Sequence, residues 1–170
     1  ILNPKSKWID QFRNALNDIY LPILSDGDIV YLEKVSRDVY QRVFEQNKAC
    51  LELKKRLETR SEIKNIFHPE NCPNFNSLLT SDGGYGCLLS FELNGGLNKA
   101  KKFYDSLQVS KGPSLGTKFT LVCPYVLLAH YDELDWAESF GIPPHLIRVS
   151  VGLEDPDQLW KTFSEALNNS

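Results

Sequence analysis

The sequence contains no methionine, and it also lacks the patterns of several common classes of protein. Its longest apolar stretch, residues 119–129, is far shorter than the roughly 20 residues that a membrane-spanning helix requires. Lysine and arginine are mixed with acidic residues and the formal net charge is −3, so the chain has no basic footprint for nucleic acid. We therefore expect a cytoplasmic protein with neither a membrane nor a nucleic acid as its partner. Because the chain begins with Ile1 and has no methionine, we also expect it to be a piece of a longer protein.

Motifs that carry chemistry are absent as well. The four cysteines form no CxxC pair and have no histidine at ligand spacing, so we expect no metal site and predict reduced, buried thiols. The chain has no GxSxG, HExxH, P-loop or GxGxxG motif, so no catalytic residue is assigned. On general grounds His68, His130 and His145 are interpreted as structural or surface residues.

Two helical patterns occupy the N-terminal part of the chain. Apolar residues recur at helical spacing over residues 6–20, and a longer pattern over residues 29–57 predicts one long helix. A helix of this length usually joins structural units. We expect residues 1–60 to form a helical segment that links this chain to a domain preceding it.

Residues 61–170 alternate between short strand patterns and helix patterns. The predicted strands lie at residues 63–67, 87–93, 120–123 and 146–151. Helices are predicted at residues 97–107 and 132–140 and after a cap at Asp155, and a loop is predicted at residues 71–82. The connections are too irregular for a doubly wound sheet. The sequence therefore predicts an α+β domain in which helices cover a small sheet.

One charged residue stands out, because Arg148 lies inside the apolar strand pattern LIRVSV. A guanidinium in such a strand needs an anionic partner to offset its desolvation. The partner is either a protein carboxylate, such as Glu154 or Asp155, or a ligand carboxylate held by the two-pronged fork of the arginine. The small-residue loop at residues 112–117 either brings main-chain N–H groups close to a ligand or is an ordinary turn.

Taken in order, five strings resemble one enzyme family. They are GGYGCLLSFEL at residues 83–93, SLG at 114–116, CP and AH at 123–124 and 129–130, GI at 141–142, and LIRVSVGLED at 146–155. Together they resemble the C-terminal region of the cystathionine γ-synthase and γ-lyase family of pyridoxal-phosphate (PLP) enzymes, and in particular its fungal branch. The resemblance covers nearly the whole chain.

The resemblance implies the small C-terminal domain of a fold-type I PLP-dependent transferase. It implies that Arg148 binds the α-carboxylate of an amino-acid substrate, with Ser114 and Leu115 in the loop that helps to hold it. The Schiff-base lysine and the other cofactor-binding residues would lie in a large domain before Ile1, so this chain alone is expected to be inactive and to contain no cofactor-binding residue. The implied partners are that domain and further copies in a homo-oligomer.

Three functions are compatible with the resemblance. The preferred one is a transferase of methionine biosynthesis that joins an O-acylhomoserine to cysteine by γ-replacement, making cystathionine. The second is a lyase that eliminates across the β or γ bond. The third is a non-catalytic module for binding or oligomerisation that has kept the fold.

Overall fold

The computed structural model describes Lys5, residues 7–19 and residues 24–170. It divides into two compact units, Ile1–Val39 and Tyr40–Ser170. The sequence pattern, in contrast, places a boundary near residue 60.

The first unit contains two helices, α1 (Ile9–Ile19) and α2 (Asp26–Ser36). The predicted helix over residues 6–20 is confirmed as α1, and the predicted ends at Ser6 and Tyr20 lie outside the described residues. Helix α2 begins with a capping box, in which the Ser25 side chain accepts from the Asp28 N–H and the Asp28 carboxylate accepts from the Ser25 N–H.

The prediction of one continuous helix over residues 29–57 is wrong. Helix α2 ends at Ser36, and α3 (Val39–Glu58) begins after a two-residue turn. The Ser36 hydroxyl donates to the carbonyl oxygen of Glu33 at 2.9 Å, a local bond that competes with continuation of the helix. The apolar spacing is the same on both sides of the turn, so periodicity did not reveal the break.

The second unit is built on a five-stranded sheet with the order β1-β2-β5-β4-β3. All neighbouring strands are antiparallel except β3 and β4, which are parallel. The strands are β1 (Ile63–Phe67), β2 (Leu88–Leu93), β3 (Ser110–Lys111), β4 (Leu121–Cys123) and β5 (Ile147–Ser150). The four predicted strands are confirmed within one or two residues at their ends, and β3 was missed because two residues are too few for an alternating pattern.

Five further helices belong to this unit. They are α4 (Pro73–Leu78), α5 (Gly96–Ser106), α6 (Tyr125–Ala129), α7 (Leu134–Ser139) and α8 (Pro156–Asn168). The predicted loop over residues 71–82 is wrong in part, because α4 forms there with Pro73 in its first turn. The predicted cap of α8 is confirmed, since the Asp155 carboxylate accepts from the N–H groups of Asp157 and Gln158, each at 3.0 Å.

The core lies between one face of the sheet and the three helices α3, α5 and α8. Three phenylalanines from different elements meet at its centre: Phe103 of α5 contacts Phe91 of β2 edge-on at 5.5 Å between ring centroids and Phe163 of α8 at 6.0 Å. All three side chains are fully buried, which is where aromatic rings stabilise a core most. The α+β arrangement with helices covering a small sheet is therefore confirmed.

The cysteines are all free thiols, as predicted, but not all are buried. Cys50 and Cys123 lie in the interior, Cys87 is partly exposed and Cys72 is exposed. Burial raises the pKa of the Cys50 thiol to about 12, which makes it unreactive at neutral pH.

No helix among the described residues combines the length and the apolar character that crossing a membrane requires.

Candidate functional site

Arg148 lies on β5, the central strand of the sheet. Its neighbours in the strand, Ile147 and Val149, are buried in the core, so the alternation of the strand turns Arg148 to the opposite face. Ser90 of β2 and Cys123 of β4 stand beside it in register. Arg148 therefore lies on the face of the sheet opposite to the face that α3, α5 and α8 cover.

The guanidinium of Arg148 is held by groups of its own chain on that face. Its Nη2 donates to the carbonyl oxygen of Pro113 and, at 3.4 Å, to that of Ser114. Its Cζ lies 4.7 Å from the centroid of the Tyr125 ring. Burial raises the pKa of the Cys123 thiol, and the charge of Arg148 and a hydrogen bond between the two side chains counter that effect in part.

The protein carboxylates suggested as partners of Arg148 are engaged elsewhere. Glu154 accepts from the main-chain N–H of Thr120 at 2.5 Å and from the Thr120 hydroxyl at 2.8 Å. Asp155 caps α8. Over residues 24–170, Arg148 has main-chain carbonyls, a sulfur and an aromatic face as its contacts, and no carboxylate pairs with it. The hypothesis of a pair with Glu154 or Asp155 is therefore wrong.

The loop at residues 112–117 runs beside Arg148. Gly116 has a positive φ of 72°, and its N–H donates to the hydroxyl of Ser150 at 3.0 Å. The carbonyl of Ser114 is turned towards Arg148, whereas the side chain of Leu115 is 55% exposed. The structure therefore brings Ser114 to the arginine through its main chain and leaves Leu115 at the rim.

A residue that the sequence interpretation missed anchors this loop from the helical side. Gln46 of α3 is buried, and its Nε2 donates to the carbonyl oxygens of Thr117 at 2.7 Å and Val151 at 3.2 Å. A signal was present, because position 46 falls on the apolar stripe formed by Val43, Cys50 and Leu53 at spacings of three and four. A polar residue on such a stripe indicates a buried hydrogen bond.

Tyr125 was also missed, although it directly follows the CP string. It is the first residue of α6, and its ring is stacked on Arg148 and contacts the ring of His130 at 6.1 Å. A single aromatic residue at the start of a short helix shows no periodicity, so only the contact with Arg148 identifies Tyr125.

Each of the three histidines has a partner close to it in the fold. His130 Nδ1 lies 2.6 Å from Glu133 Oε1, and His145 Nε2 lies 3.1 Å from Glu92 Oε1. His68 is buried, and its Nδ1 accepts from the N–H of Glu70. Burial and the nearby charge of Lys54 lower the pKa of His68, so it is neutral at pH 7.

Lys54 does not have the environment of a lysine that binds an aldehyde cofactor covalently. A cofactor-binding lysine must lose its proton in a polarised or apolar pocket. The one buried lysine of the described chain, Lys54, is instead paired with Glu58 at 2.7 Å and Glu70 at 2.8 Å. Burial opposes its charge, but these two carboxylates outweigh burial and raise its pKa. Among the described residues no group of three or more His, Cys, Asp and Glu is arranged to hold a metal ion.

The fold has a close counterpart among solved structures. The crystal structure of cystathionine gamma-lyase from Lactobacillus plantarum complexed with L-serine matches 97% of this chain and 44% of that chain, with a TM-score of 0.82 and 23% identity. At this identity the match shows the fold alone. The fold is that of a fold-type I PLP-dependent enzyme, as predicted.

Sequence comparison identifies the family. The Cys/Met metabolism PLP-dependent enzyme family matches residues 10–168. The chain is 40% identical to cystathionine gamma-synthase of Neurospora crassa over 98% of its length, and 38% identical to cystathionine gamma-synthase of Saccharomyces cerevisiae over 100%. The chain belongs to the Cys/Met metabolism PLP-dependent enzyme family. It spans only 27% and 28% of the length of these two relatives.

Proposed function

We propose that this chain is the C-terminal, substrate-carboxylate-binding part of a PLP-dependent cystathionine γ-synthase-like enzyme. Such an enzyme joins an O-acylhomoserine to cysteine by γ-replacement. Arg148 binds the α-carboxylate of the amino-acid substrate, and the loop that contains Ser114 and Leu115 borders the bound group. PLP, held by the part of the protein outside this chain, supplies the electron sink for the carbanion chemistry.

The observation that carries this proposal is the state of Arg148. It projects from the central strand, is partly exposed, and has no carboxylate partner among residues 24–170. A planar guanidinium presents its N–H donors in one plane, in a fork that matches a carboxylate. Nη2 donates to the loop carbonyls and Cys123 shares a hydrogen bond with the guanidinium, so a carboxylate would be bound by the N–H groups that these contacts leave.

A synthase is favoured over a lyase by the names of the relatives. The proteins of Neurospora crassa and Saccharomyces cerevisiae, at 40% and 38% identity, are both named cystathionine gamma-synthase. The solved lyase is only 23% identical and supports the fold without supporting its reaction.

The exposed apolar surface of the first unit supports a large partner domain. Trp8, Phe12 and Leu16 of the α1 region are each about half exposed, and α2 has no buried residue. Large exposed apolar patches mark interaction sites, and these side chains could contribute to one. We propose that the PLP-binding part of the same protein, with a second copy in a homo-oligomer, covers it.

The test is to replace Arg148 in the full-length enzyme loaded with PLP. Arg148→Lys keeps the charge but removes the fork, so we expect kcat/KM for O-acylhomoserine to fall about 10- to 100-fold, the worth of a charge-assisted pair. Arg60→Lys is the matched control, because Arg60 is a partly buried arginine already paired with Glu62 at 2.6 Å. Equal kcat/KM values for Arg148→Lys and Arg60→Lys would contradict the proposal.

A further inference from the structure

The guanidinium of Arg148 is stacked on an aromatic ring. Its Cζ lies 4.7 Å from the centroid of Tyr125, within the range in which an arginine is attracted to the face of a ring. Stacking occupies the face of the guanidinium, whereas a carboxylate is bound by the N–H groups at its edge. The two contacts are therefore compatible.

The ring of Tyr125 is itself held in place from a second side. The His130 ring meets it edge-on at 6.1 Å, and His130 Nδ1 lies 2.6 Å from Glu133 Oε1. Between them, Val126 is 1% exposed and anchors α6 in the interior, and its carbonyl accepts from the N–H of His130 at 2.8 Å. Tyr125 begins this short helix and His130 follows its last residue, so one buried anchor supports both rings.

We propose that Tyr125 is a positioning residue for substrate binding: its ring fixes the plane of the Arg148 guanidinium, and His130 fixes the ring. This inference rests on the proposed function of Arg148. Without the ring, the guanidinium would keep, among the described residues, its hydrogen bonds to the loop carbonyls and to Cys123 but would lose the support of its face. The edge would then no longer be pre-organised, and affinity for carboxylates would fall.

The effect should depend on the carboxylate of the ligand. L-serine and L-serinamide share the amino and hydroxyl groups and differ in the carboxylate. A variant that only disturbs the fold weakens both ligands, whereas loss of the arginine's orientation weakens L-serine alone. The ratio of the two dissociation constants is therefore the readout.

The experiment uses the full-length holoenzyme and follows the absorbance of its cofactor during titration with each ligand. Tyr125→Leu should weaken L-serine about 3- to 10-fold, the range expected for a partly exposed cation–π contact, and leave L-serinamide unchanged. Tyr125→Phe keeps the stacked ring and should stay within about twofold of the unmodified enzyme. Tyr131→Leu is the control, since Tyr131 is a tyrosine of the same segment that is 71% exposed.

A second variant covers the case in which Tyr125→Leu does not fold. His130→Leu retains the Tyr125 ring but removes its support, and it should weaken L-serine more than Tyr125→Phe does, with L-serinamide unchanged. Equal affinities of these two variants for L-serine would overturn the role of His130.

The results for the Arg148 and Tyr125 variants together distinguish this inference from the proposed function. If Arg148→Lys leaves L-serine binding unchanged, the proposed function is overturned, whatever the Tyr125 variants show. If Arg148→Lys weakens L-serine but Tyr125→Leu does not, or if Tyr125→Leu weakens both ligands equally, the role of Tyr125 is overturned and that of Arg148 stands.

Discussion

Replacing Gln46 by leucine should destabilise the second unit and loosen the loop beside Arg148. The Gln46 side chain donates to two main-chain carbonyls, Thr117 at 2.7 Å and Val151 at 3.2 Å, and the residue is 4% exposed. Leucine has a similar volume, so the change removes the donor without opening a large cavity. A buried carbonyl left without a donor, as at Val151, costs about 1–3 kcal/mol, and the partly buried carbonyl of Thr117 adds to this cost. We expect the free energy of unfolding to fall by about 2–4 kcal/mol.

The same helix supplies a matched control. Gln41 is an exposed glutamine of α3 whose side chain, among the described residues, donates to Glu45 at 2.8 Å, so Gln41→Leu should change the free energy of unfolding by less than about 0.5 kcal/mol. Equilibrium unfolding in urea gives the free energies, and hydrogen exchange of the Gly116 amide reports on the loop. If Gln46→Leu lies within about 0.5 kcal/mol of Gln41→Leu and the Gly116 amide exchanges no faster, the assignment of Gln46 as the loop anchor is refuted.

Two further predictions concern close packing and charge. A Cβ added at Gly152 would lie 2.5 Å from the carbonyl carbon of Phe119, so Gly152→Ala should lower the free energy of unfolding by about 1–3 kcal/mol. Gly112→Ala is the control, because the nearest atom to its added Cβ is 3.8 Å away, and it should lower the free energy of unfolding by less than about 0.5 kcal/mol. Equal effects of the two substitutions in thermal unfolding would show that the backbone at Gly152 can move to accommodate a side chain. Burial opposes the charge of Glu92, but hydrogen bonds, first among them that from Lys64, outweigh burial and lower its pKa below the ordinary value of 4.5. Its ionised form therefore stabilises the fold above pH 4.5, and this contribution is lost as the pH falls through the lower folded-state pKa. Glu92→Gln should be less stable than the unmodified chain at pH 7, with a difference that shrinks below pH 4.5; a difference independent of pH in urea titrations would contradict the assignment.

Prediction from the sequence succeeded where a residue's environment is local. The strands of the sheet follow from short alternating patterns, and the start of α8 follows from Asp155 and Pro156. It failed where local preference is overridden: the break between α2 and α3 lies within an unbroken apolar stripe, and α4 forms in a stretch rich in asparagine and proline. The first error concerns helix ends, which depend on single hydrogen bonds as well as on periodicity. The second concerns a helix of six residues, which is too short to show a helical period.

The candidate site divides in the same way. The position of Arg148 inside an apolar strand was enough to show that it needs a partner, and the motif around it was enough to indicate the family. Its neighbours were not predictable, because they are distant in the chain: Arg148 reaches the carbonyl of Pro113 across 35 positions, and Gln46 reaches that of Thr117 across 71. The partners that the sequence suggested for Arg148, Glu154 and Asp155, lie only six and seven positions from it along the chain.

The sequence by itself determined the class of fold, the family, and the one charged residue on the central strand. Only the tertiary structure decided which face of the sheet carries that residue, which ring stacks on it, and that the carboxylates near it in sequence are engaged elsewhere. The physical reason is that periodicity and capping act over one or two turns of chain, whereas the environment of Arg148 is assembled by strand register and loop contacts. Those contacts exist only once the sheet has formed.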